Sequence, residues 1–268
     1  MAVGHYENFP VASLLLPPAL RRPVEIIYRF ARSADDFADE GDDPPEIRLA
    51  RLSVYQARLA TIAKGDVPDD PLFRQVAEII QEHDLPLQLF RDLLDAFAQD
   101  VTKKRYADYA EVLDYCRRSA NPVGRLLLHL FKRTTDSDLR ASDAICSALQ
   151  LVNFWQDAGL DYTKDNRVYL PQDEMARFGV GERHLREKIA DAGWRELMRF
   201  QIERTRRLML SGESLGRALP GRVGLEIRVT VQGGLRILEK IEAAGYDIFR
   251  RRPVLRSLDW PSMMFKAL

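Results

Sequence analysis

The 268-residue chain contains few of the residues that mark several common classes of protein. It has only two cysteines, Cys116 and Cys146, and four histidines, and these are not clustered as a zinc site requires. So sparse a pair of cysteines is typical of reduced core thiols in a cytoplasmic protein, the alternatives being a disulfide or a reactive thiol. The sequence therefore predicts a cytoplasmic location.

Long apolar runs and an excess of charge of one sign are also missing. No apolar stretch reaches the ~18 residues that a membrane span needs, and the short run 14–16 ends at Pro17-Pro18, unlike the core of a signal peptide. Basic and acidic residues number 40 each, so the net charge gives no indication of nucleic-acid binding. We expect a soluble protein, or one peripheral to a membrane.

Signals for β-strands and for dinucleotide-binding loops are scarce as well. Apolar residues recur at three- and four-residue spacing almost throughout, which predicts an all-α fold. Gly233-Gly234 lies inside such a pattern rather than after a strand, so no dinucleotide fingerprint is present. We expect one domain over 1–268, with an arm at 1–16 carrying His5, Tyr6 and Phe9 and a basic tail at 250–268.

The periodicity and its interruptions give the expected helices. They are 18–40, 46–64, 70–83, 86–100, 107–134, 139–164, 182–212 and 222–249, with an irregular link at 165–171 and a break at 216–221. The Asn121-Pro122 pair should interrupt the fifth helix, because proline lacks the amide hydrogen and crowds the preceding turn. A broken helix facing a pocket leaves backbone groups free to meet a ligand.

The stretch 150–161, QLVNFWQDAGLD, carries polar oxygen atoms at helical spacing. Asn153, Asp157 and Asp161 fall at i, i+4 and i+8, so a helix projects them from roughly one face. A helix that only packs into a core would not place two repelling carboxylates beside Phe154-Trp155. A bound cation is the expected reason.

A second acidic face lies about 120 residues earlier, at Asp35, Asp36 and Asp39. Alone, this cluster would usually be solvated surface, and an EF-hand is excluded because Ala38 and Ile47 would occupy ligand positions three and twelve. Together, the two faces predict helices that converge on divalent metal. Carboxylate oxygens favour magnesium, which takes one or two carboxylates per ion together with waters and substrate phosphates.

A magnesium cluster on a helical bundle is commonly a site for diphosphate. Three arginines beside the acidic stretches, Arg29, Arg32 and Arg167, are candidates to complete such a site, although most arginines lie on solvated surfaces. Four tyrosines could donate to diphosphate or face a carbocation, the alternative for each being a packing role: Tyr28, Tyr115, Tyr169 and Tyr246.

Four motifs, taken in order, resemble the squalene/phytoene synthase family. They are Y-x-x-x-R-x-x-D-D-x-x-D at 28–39, Y-C at 115–116 with V-G at 123–124, Q-x-x-N-x-x-x-D-x-x-x-D at 150–161 and R-V-Y-L-P at 167–171. The likeness covers nearly the whole chain with matching spacing.

The chain departs from the usual pattern of this family at two places. Gln156 stands where most members have arginine, and A-N-P-V-G at 120–124 stands where they have A-G-x-V-G. Together with H-Y-E-N-F-P-V-A-S at 5–13, these departures resemble the hydroxysqualene synthase branch of bacterial hopanoid biosynthesis.

The resemblance implies an isoprenoid-synthase helical bundle with a central active-site cavity and an acidic motif on each of two facing helices. Two or three magnesium ions would hold the diphosphate of presqualene diphosphate, and NADPH is not expected. Loss of diphosphate would leave a cyclopropylcarbinyl cation, which rearranges and is captured by water as hydroxysqualene. The metal ligands would be Asp35, Asp36, Asp39, Asn153, Asp157 and Asp161, and the substrate contacts Tyr28, Arg32, Tyr115, Asn121, Arg167, Tyr169 and Tyr246.

Gln156 is a candidate catalytic residue together with the outer aspartates of each motif, Asp35, Asp39, Asp157 and Asp161. An amide in place of a cation removes a clamp on diphosphate and adds a donor and an acceptor for the quenching water. The alternative is that Gln156 packs or caps.

The tail and the product suggest a membrane partner. A product built from two farnesyl-derived chains is nearly insoluble in water, at ~0.8 kcal/mol per buried methylene. The tail contains four arginines, Trp260 and Phe265, and could rest on an anionic membrane for product release or pass product to neighbouring pathway enzymes. Equally, it could dock on its own domain.

Three functions follow from these observations. The first is conversion of presqualene diphosphate to hydroxysqualene. The second is head-to-head condensation of two allylic diphosphates to presqualene diphosphate, squalene or phytoene. The third is a non-catalytic protein that binds metal or lipid diphosphate.

Overall fold

The computed structural model describes residues 17–250 and 252–268, and most of these residues are helical. Within these ranges there is no β-strand, only an isolated bridge between Arg105 and Val168. The all-α prediction is confirmed. The expected arm at 1–16 and Arg251 of the tail lie outside the described residues.

The described residues form thirteen α-helices and one short 3-10 helix. In chain order they are α1 (Pro18–Asp39), α2 (Pro45–Ala63), α3 (Pro71–His83), α4 (Leu87–Thr102), α5 (Tyr109–Ser119), α6 (Asn121–Leu130), α7 (Asp136–Asp165), α8 (Gln172–Arg177), α9 (Glu182–Glu187), α10 (Ala192–Ser211), α11 (Leu215–Ala218), α12 (Gly221–Ala243), the 3-10 helix Ser257–Asp259, and α13 (Trp260–Ala267).

The predicted interruption at Asn121-Pro122 is confirmed. Helix α5 ends at Ser119 and α6 begins at Asn121, with Pro122 in the first turn of the new helix. A proline is tolerated there because its missing amide hydrogen would have no partner inside the helix. The two short helices are therefore joined at a bend rather than continued as one.

Two predicted helices are wrong in their extent. The helix expected at 182–212 is divided into α9 and α10, because Lys188 adopts a φ of 56° and ends α9. The helix expected to reach 249 ends at Ala243, and Gly245 and Tyr246 follow with φ of 63° and 62°. Left-handed backbone cannot continue a right-handed helix, and apolar spacing does not reveal it. The short helices α8 and α11 were not predicted.

The first four helices share one hydrophobic core, which α6 also enters. Phe30 of α1 is fully buried and packs edge-on against Phe73 of α3 and Phe90 of α4, at centroid distances of 5.8 and 5.2 Å. Ala34 and Ala38 continue the same buried stripe at i+4 and i+8. One side of α1 is thereby fixed, and its acidic side chains are turned away from this core.

The 30-residue helix α7 is the centre of the second core and packs against α5, α6, α10 and α12. Thr135 caps its first turn by accepting from the amide of Asp138, and Asn166 ends it with a φ of 50°. Trp155 is fully buried, and its Nε1 donates to Thr205 Oγ1 of α10 at 2.8 Å. These contacts fix the rotation of α7 about its axis.

The C-terminal tail docks on its own domain. Met263 and Ala267 of α13 are buried, and α13 packs on α12. Asp259, just before α13, is buried and pairs with Arg236 at 2.8 Å and with Lys240, both on α12. Of the helices in the described ranges, none is both long and apolar enough to cross a membrane.

Candidate active site

The acidic face of α1 carries its own counter-ion. Arg32 lies 3.7 Å from Asp35, 2.8 Å from Asp36 and 2.8 Å from Glu40. All four groups belong to one helix and its C-terminal cap. Asp35 and Asp36 are at the i+3 and i+4 spacing that brings side chains together on a helix surface, and Glu40 is two turns from Arg32, at i+8. Tyr28, one turn before Arg32, is close enough to contribute to a raised pKa of that arginine.

The acidic face of α7 has a counter-ion from elsewhere in the chain. Arg252 makes a two-pronged ion pair with Asp157, 95 residues away, with Nη2 at 2.8 Å from Oδ2. Asn153 and Asp161 are half-buried on the same side of the helix. The C-terminal segment therefore reaches the second acidic face directly.

The structure brings the two acidic faces together. Burial and the neighbouring Asp39 raise the pKa of Asp35 to about 7. Burial and the neighbouring Asp157 raise the pKa of Asp161 to about 7, and Asp39 across on α1 adds to that rise. Arg167, which pairs with Asp39, also acts on the pKa of Asp161, so carboxylates of α1 and α7 lie on either side of one arginine.

Arg167 lies between the two acidic faces and is buried. Its Nη2 is 3.3 Å from Asp39 Oδ1 and donates to the backbone oxygen of Asp100 at 2.8 Å, while Nη1 donates to the Tyr169 hydroxyl at 3.2 Å. Burial opposes its charge, but the surrounding aspartates and tyrosines hold its pKa above the ordinary value. It is therefore a fixed cation beside the acidic faces.

Asp100, near the end of α4, belongs to the same network and was missed by the sequence argument. Its carboxylate is buried and accepts a 2.5 Å hydrogen bond from the Tyr115 hydroxyl, with Arg167 3.9 Å away. Burial raises its pKa to about 6 against the opposing effect of Arg167. Its position beside Gln99 in the mixed polar and apolar last turns of α4 gave no signal that separated it from a solvent-facing aspartate.

Aromatic rings form a wall beside this polar network. Phe154 and Tyr169 are stacked at a centroid distance of 3.5 Å, Tyr115 lies 5.9 Å from Phe154, and Tyr106 lies 5.4 Å from Tyr169. Burial raises the pKa of Tyr115 and of Tyr169 well above the ordinary value, so both remain neutral phenols. Ring faces of this kind attract positive charge.

Three predicted site residues have other partners. Asn121 is buried and accepts from the Ser147 hydroxyl at 2.8 Å. The backbone oxygen of Tyr246 accepts from Trp194 Nε1, and Arg199 lies 5.6 Å from the Tyr246 ring, so Tyr246 packs against α10. Arg29 donates to Gln75 of α3.

Gln156 is buried, and its amide nitrogen donates to the backbone oxygen of Pro253 in the C-terminal segment. This contact corresponds to the packing alternative for Gln156. Gln156 is next to Asp157 in the sequence, and Pro253 is next to Arg252. The hydrogen bond and the Asp157–Arg252 ion pair are therefore adjacent, and together they hold the C-terminal segment against α7.

The donor chemistry of the paired faces fits magnesium. In the part of the chain that the structure describes, no three His, Cys, Asp or Glu side chains gather closely enough to hold a metal ion by themselves. Magnesium usually takes one or two carboxylates, with phosphate oxygens and waters completing the octahedron. Two carboxylates from each face supply such oxygens. Burial and the neighbouring carboxylate raise the pKa of one member of each pair, Asp35 and Asp161, despite the nearby arginines, so a bound cation would relieve the remaining repulsion.

The all-helical bundle, with rows of carboxylates on two helices beside a buried arginine and an aromatic wall, is the arrangement that the resemblance to isoprenoid synthases implied. The model of the squalene/phytoene synthase family matches residues 2–259, and the chain belongs to that family.

Relatives and solved structures agree with this assignment. The chain is 34% identical to a hydroxysqualene synthase of Rhodopseudomonas palustris, over 98% of this chain and 88% of the relative. It is 35% identical to a hydroxysqualene synthase of Zymomonas mobilis, over 84% of this chain and 76% of the relative. The crystal structure of squalene synthase HpnC from Alicyclobacillus acidocaldarius is similar with a TM-score of 0.82 and 34% identity, covering 91% of this chain and 90% of that one.

Proposed function

We propose that the protein is a hydroxysqualene synthase that acts on presqualene diphosphate with magnesium. The observation that carries the class of reaction is the pair of facing carboxylate faces with Arg167 between them. The particular reaction is supported by similarity to relatives named hydroxysqualene synthase, which are 34–38% identical to this chain.

The first step breaks the bond between the substrate carbon and the diphosphate oxygen, and the electron pair leaves with the diphosphate. Bound magnesium would supply Lewis-acid neutralisation of the departing charge. Arg167 would add fixed positive charge beside the acidic faces, since its contacts with Asp39 and Asp100 hold the guanidinium in place. Fixed charge of this kind stabilises a transition state without reorganisation.

The carbon skeleton would then rearrange as a cation, and water would add to it with loss of one proton. Phe154, Tyr115 and Tyr169 would present ring faces and neutral hydroxyls to the cation. Because both tyrosines stay protonated, neither would trap the cation as a phenolate. Diphosphate is the anion that can accept the released proton in this scheme.

Head-to-head condensation of two allylic diphosphates is the second candidate. It is favoured by relatives named phytoene synthase, among them a protein of Synechococcus elongatus that is 29% identical over 97% of this chain.

One incubation separates the two candidates. Purified protein is given magnesium and either presqualene diphosphate or farnesyl diphosphate, without NADPH, and products are identified by mass spectrometry. We expect hydroxysqualene from presqualene diphosphate. Turnover of farnesyl diphosphate alone would reject the proposal in favour of condensation.

The role of Gln156 is tested by Gln156→Leu. If the amide holds the quenching water, the ratio of alcohol to elimination products falls. If the amide only packs, the ratio is unchanged and the variant is less stable by about 1–3 kcal/mol, because the buried oxygen of Pro253 loses its donor.

A further inference from the structure

Helix α13 presents two different apolar surfaces. Met263 and Ala267 face inward onto the domain and are buried. A second set projects outward: Trp260 is 51% exposed, Phe265 82% and Leu268 87%. An eight-residue helix that needed only to dock would not require an apolar outer side.

The outward residues form one continuous strip. Trp260, Met264 and Leu268 recur at i, i+4 and i+8, and Pro261 and Phe265 form the adjoining row. Leu258, 89% exposed, precedes the helix. We define the outer strip as Leu258, Trp260, Pro261, Met264, Phe265 and Leu268.

Positive charge borders the outer strip. Arg228 donates from one guanidinium to the backbone oxygens of Ala267 and Gly216, so the end of α13 lies beside α11. Arg217, next to Gly216, is exposed on that side, Arg222 is exposed in the first turn of α12, and Arg256 is exposed two residues before Leu258 at the other end of the strip.

We propose that the outer strip of α13 docks the protein on an anionic lipid bilayer. An amphipathic helix with aromatic and aliphatic side chains on one face, bordered by arginines, matches the two zones of a membrane surface, acyl chains below and anionic headgroups above. A second copy of this chain would place the same arginines against each other, so the charge favours lipid over self-association.

The docked strip is connected to the active site through the preceding segment. Residues 252 and 253, a few positions before α13, hold the second acidic face through the Arg252–Asp157 ion pair and the Gln156–Pro253 hydrogen bond. If the proposed function is correct, an apolar product would leave beside the bilayer.

Vesicle flotation of the full chain tests the proposal without any substrate. We expect binding to vesicles of phosphatidylcholine with one third phosphatidylglycerol, and weak binding to phosphatidylcholine alone. Phe265→Ser with Leu268→Ser should lower the partition coefficient on the order of tenfold. Val67→Ser, at an exposed valine between α2 and α3, is the matched control and should bind like the wild type.

The charge border is tested by Arg217→Gln with Arg222→Gln, compared with Arg183→Gln on α9. The first variant should lose several-fold of its preference for anionic vesicles, and the second should not. Absence of wild-type flotation would reject the proposal. So would a wild-type dimer in light scattering that Phe265→Ser with Leu268→Ser turns into a monomer, since a second copy would then cover the strip.

The outcome is independent of the proposed reaction. Every replaced side chain is exposed and remote from the acidic faces, so circular dichroism melting should be unchanged. Turnover of detergent-dispersed presqualene diphosphate is expected to match the wild type. If neither the wild type nor any variant turned over presqualene diphosphate, the proposed function would be rejected. The flotation result would still decide whether the outer strip binds lipid.

Discussion

The two acidic faces use the same spacing of carboxylates but are neutralised in different ways. On α1, Arg32 is three, four and eight residues from the carboxylates that it pairs with. On α7, the counter-ion of Asp157 is Arg252, 95 residues away, and Arg167 approaches from the link after the helix. The α1 face is balanced largely by Arg32 of the same helix, with Arg167 reaching Asp39 from 128 residues away, whereas the ion pair on the α7 face is made only by tertiary structure.

The two faces therefore differ in whether their ion pairs can form before the rest of the protein has folded. Arg32 and its partners are partly exposed, and an isolated helix could form the same contacts at a gain of a few tenths of a kcal/mol. The α7 face has its counter-ions only when the C-terminal segment and the link are in place. Ordering of the second face therefore depends on the rest of the fold.

The largest expected effect comes from removing a carboxylate from either face. Asp161→Asn or Asp35→Asn should lower turnover of presqualene diphosphate by about a hundred- to a thousandfold, because each removes a carboxylate that would hold the magnesium neutralising the departing diphosphate. Steady-state kinetics measure this. The control is Asp42→Asn, at an exposed aspartate just past α1. If Asp35→Asn were as active as this control, the α1 face would not be part of the active site.

Asp100 lies between the two faces, and its replacement should weaken both activity and stability. Asp100→Asn is expected to lower the free energy of unfolding by about 2 kcal/mol, since the buried Tyr115 hydroxyl and Arg167 lose a charged partner. Urea denaturation measures this value. Tyr115→Phe removes the same hydrogen bond, so the double variant should lose less unfolding free energy than the two single variants lose together. Strictly additive losses would contradict this contact.

Arg252→Gln tests the tertiary counter-ion. We expect the free energy of unfolding to fall by about 1 kcal/mol, an amount limited by the partial exposure of both side chains. Urea denaturation measures it, with Arg250→Gln as control because Arg250 is almost fully exposed. Equal effects of the two variants would show that the long-range pair does not stabilise the fold.

The pH dependence of stability tests the repulsion between faces. Asp35 and Asp161 ionise near pH 7 in the folded protein and near 3.8 when unfolded, so the folded state binds more protons in between. Without metal, stability should fall as pH rises from about 4 to about 7. Asp161→Asn should reduce this fall by on the order of 1 kcal/mol, after allowance for solvent screening, whereas Asp42→Asn should not.

The smallest effect is expected at the local counter-ion. Arg32→Gln should change the free energy of unfolding by less than about 0.5 kcal/mol, because its pairs are partly exposed and lie within one helix turn or two. Thermal or urea denaturation measures it. A loss as large as that of Arg252→Gln would remove the distinction between the two faces.

Much of this architecture was predictable from the sequence because its signals are local. The spacing of Ile26, Ile27, Phe30 and Ala34 predicted α1, and Asn121-Pro122 predicted the bend between α5 and α6. The break at Lys188 was not predictable, since a left-handed turn at a non-glycine residue leaves no periodic signal. The end of α12 carried a local signal in Gly245, which the apolar spacing masked.

The sequence by itself determined the helices and the two rows of carboxylates, because helical spacing decides which side chains share a face. Only the tertiary structure decided what stands opposite each row. It brought Asp100 and Arg167 between the faces, turned Gln156 toward Pro253 and set Arg252 on Asp157. Such contacts join residues up to 128 positions apart, as Arg167 and Asp39 are, and they follow from how α1, α4, α7 and the C-terminal segment pack, which no local pattern encodes.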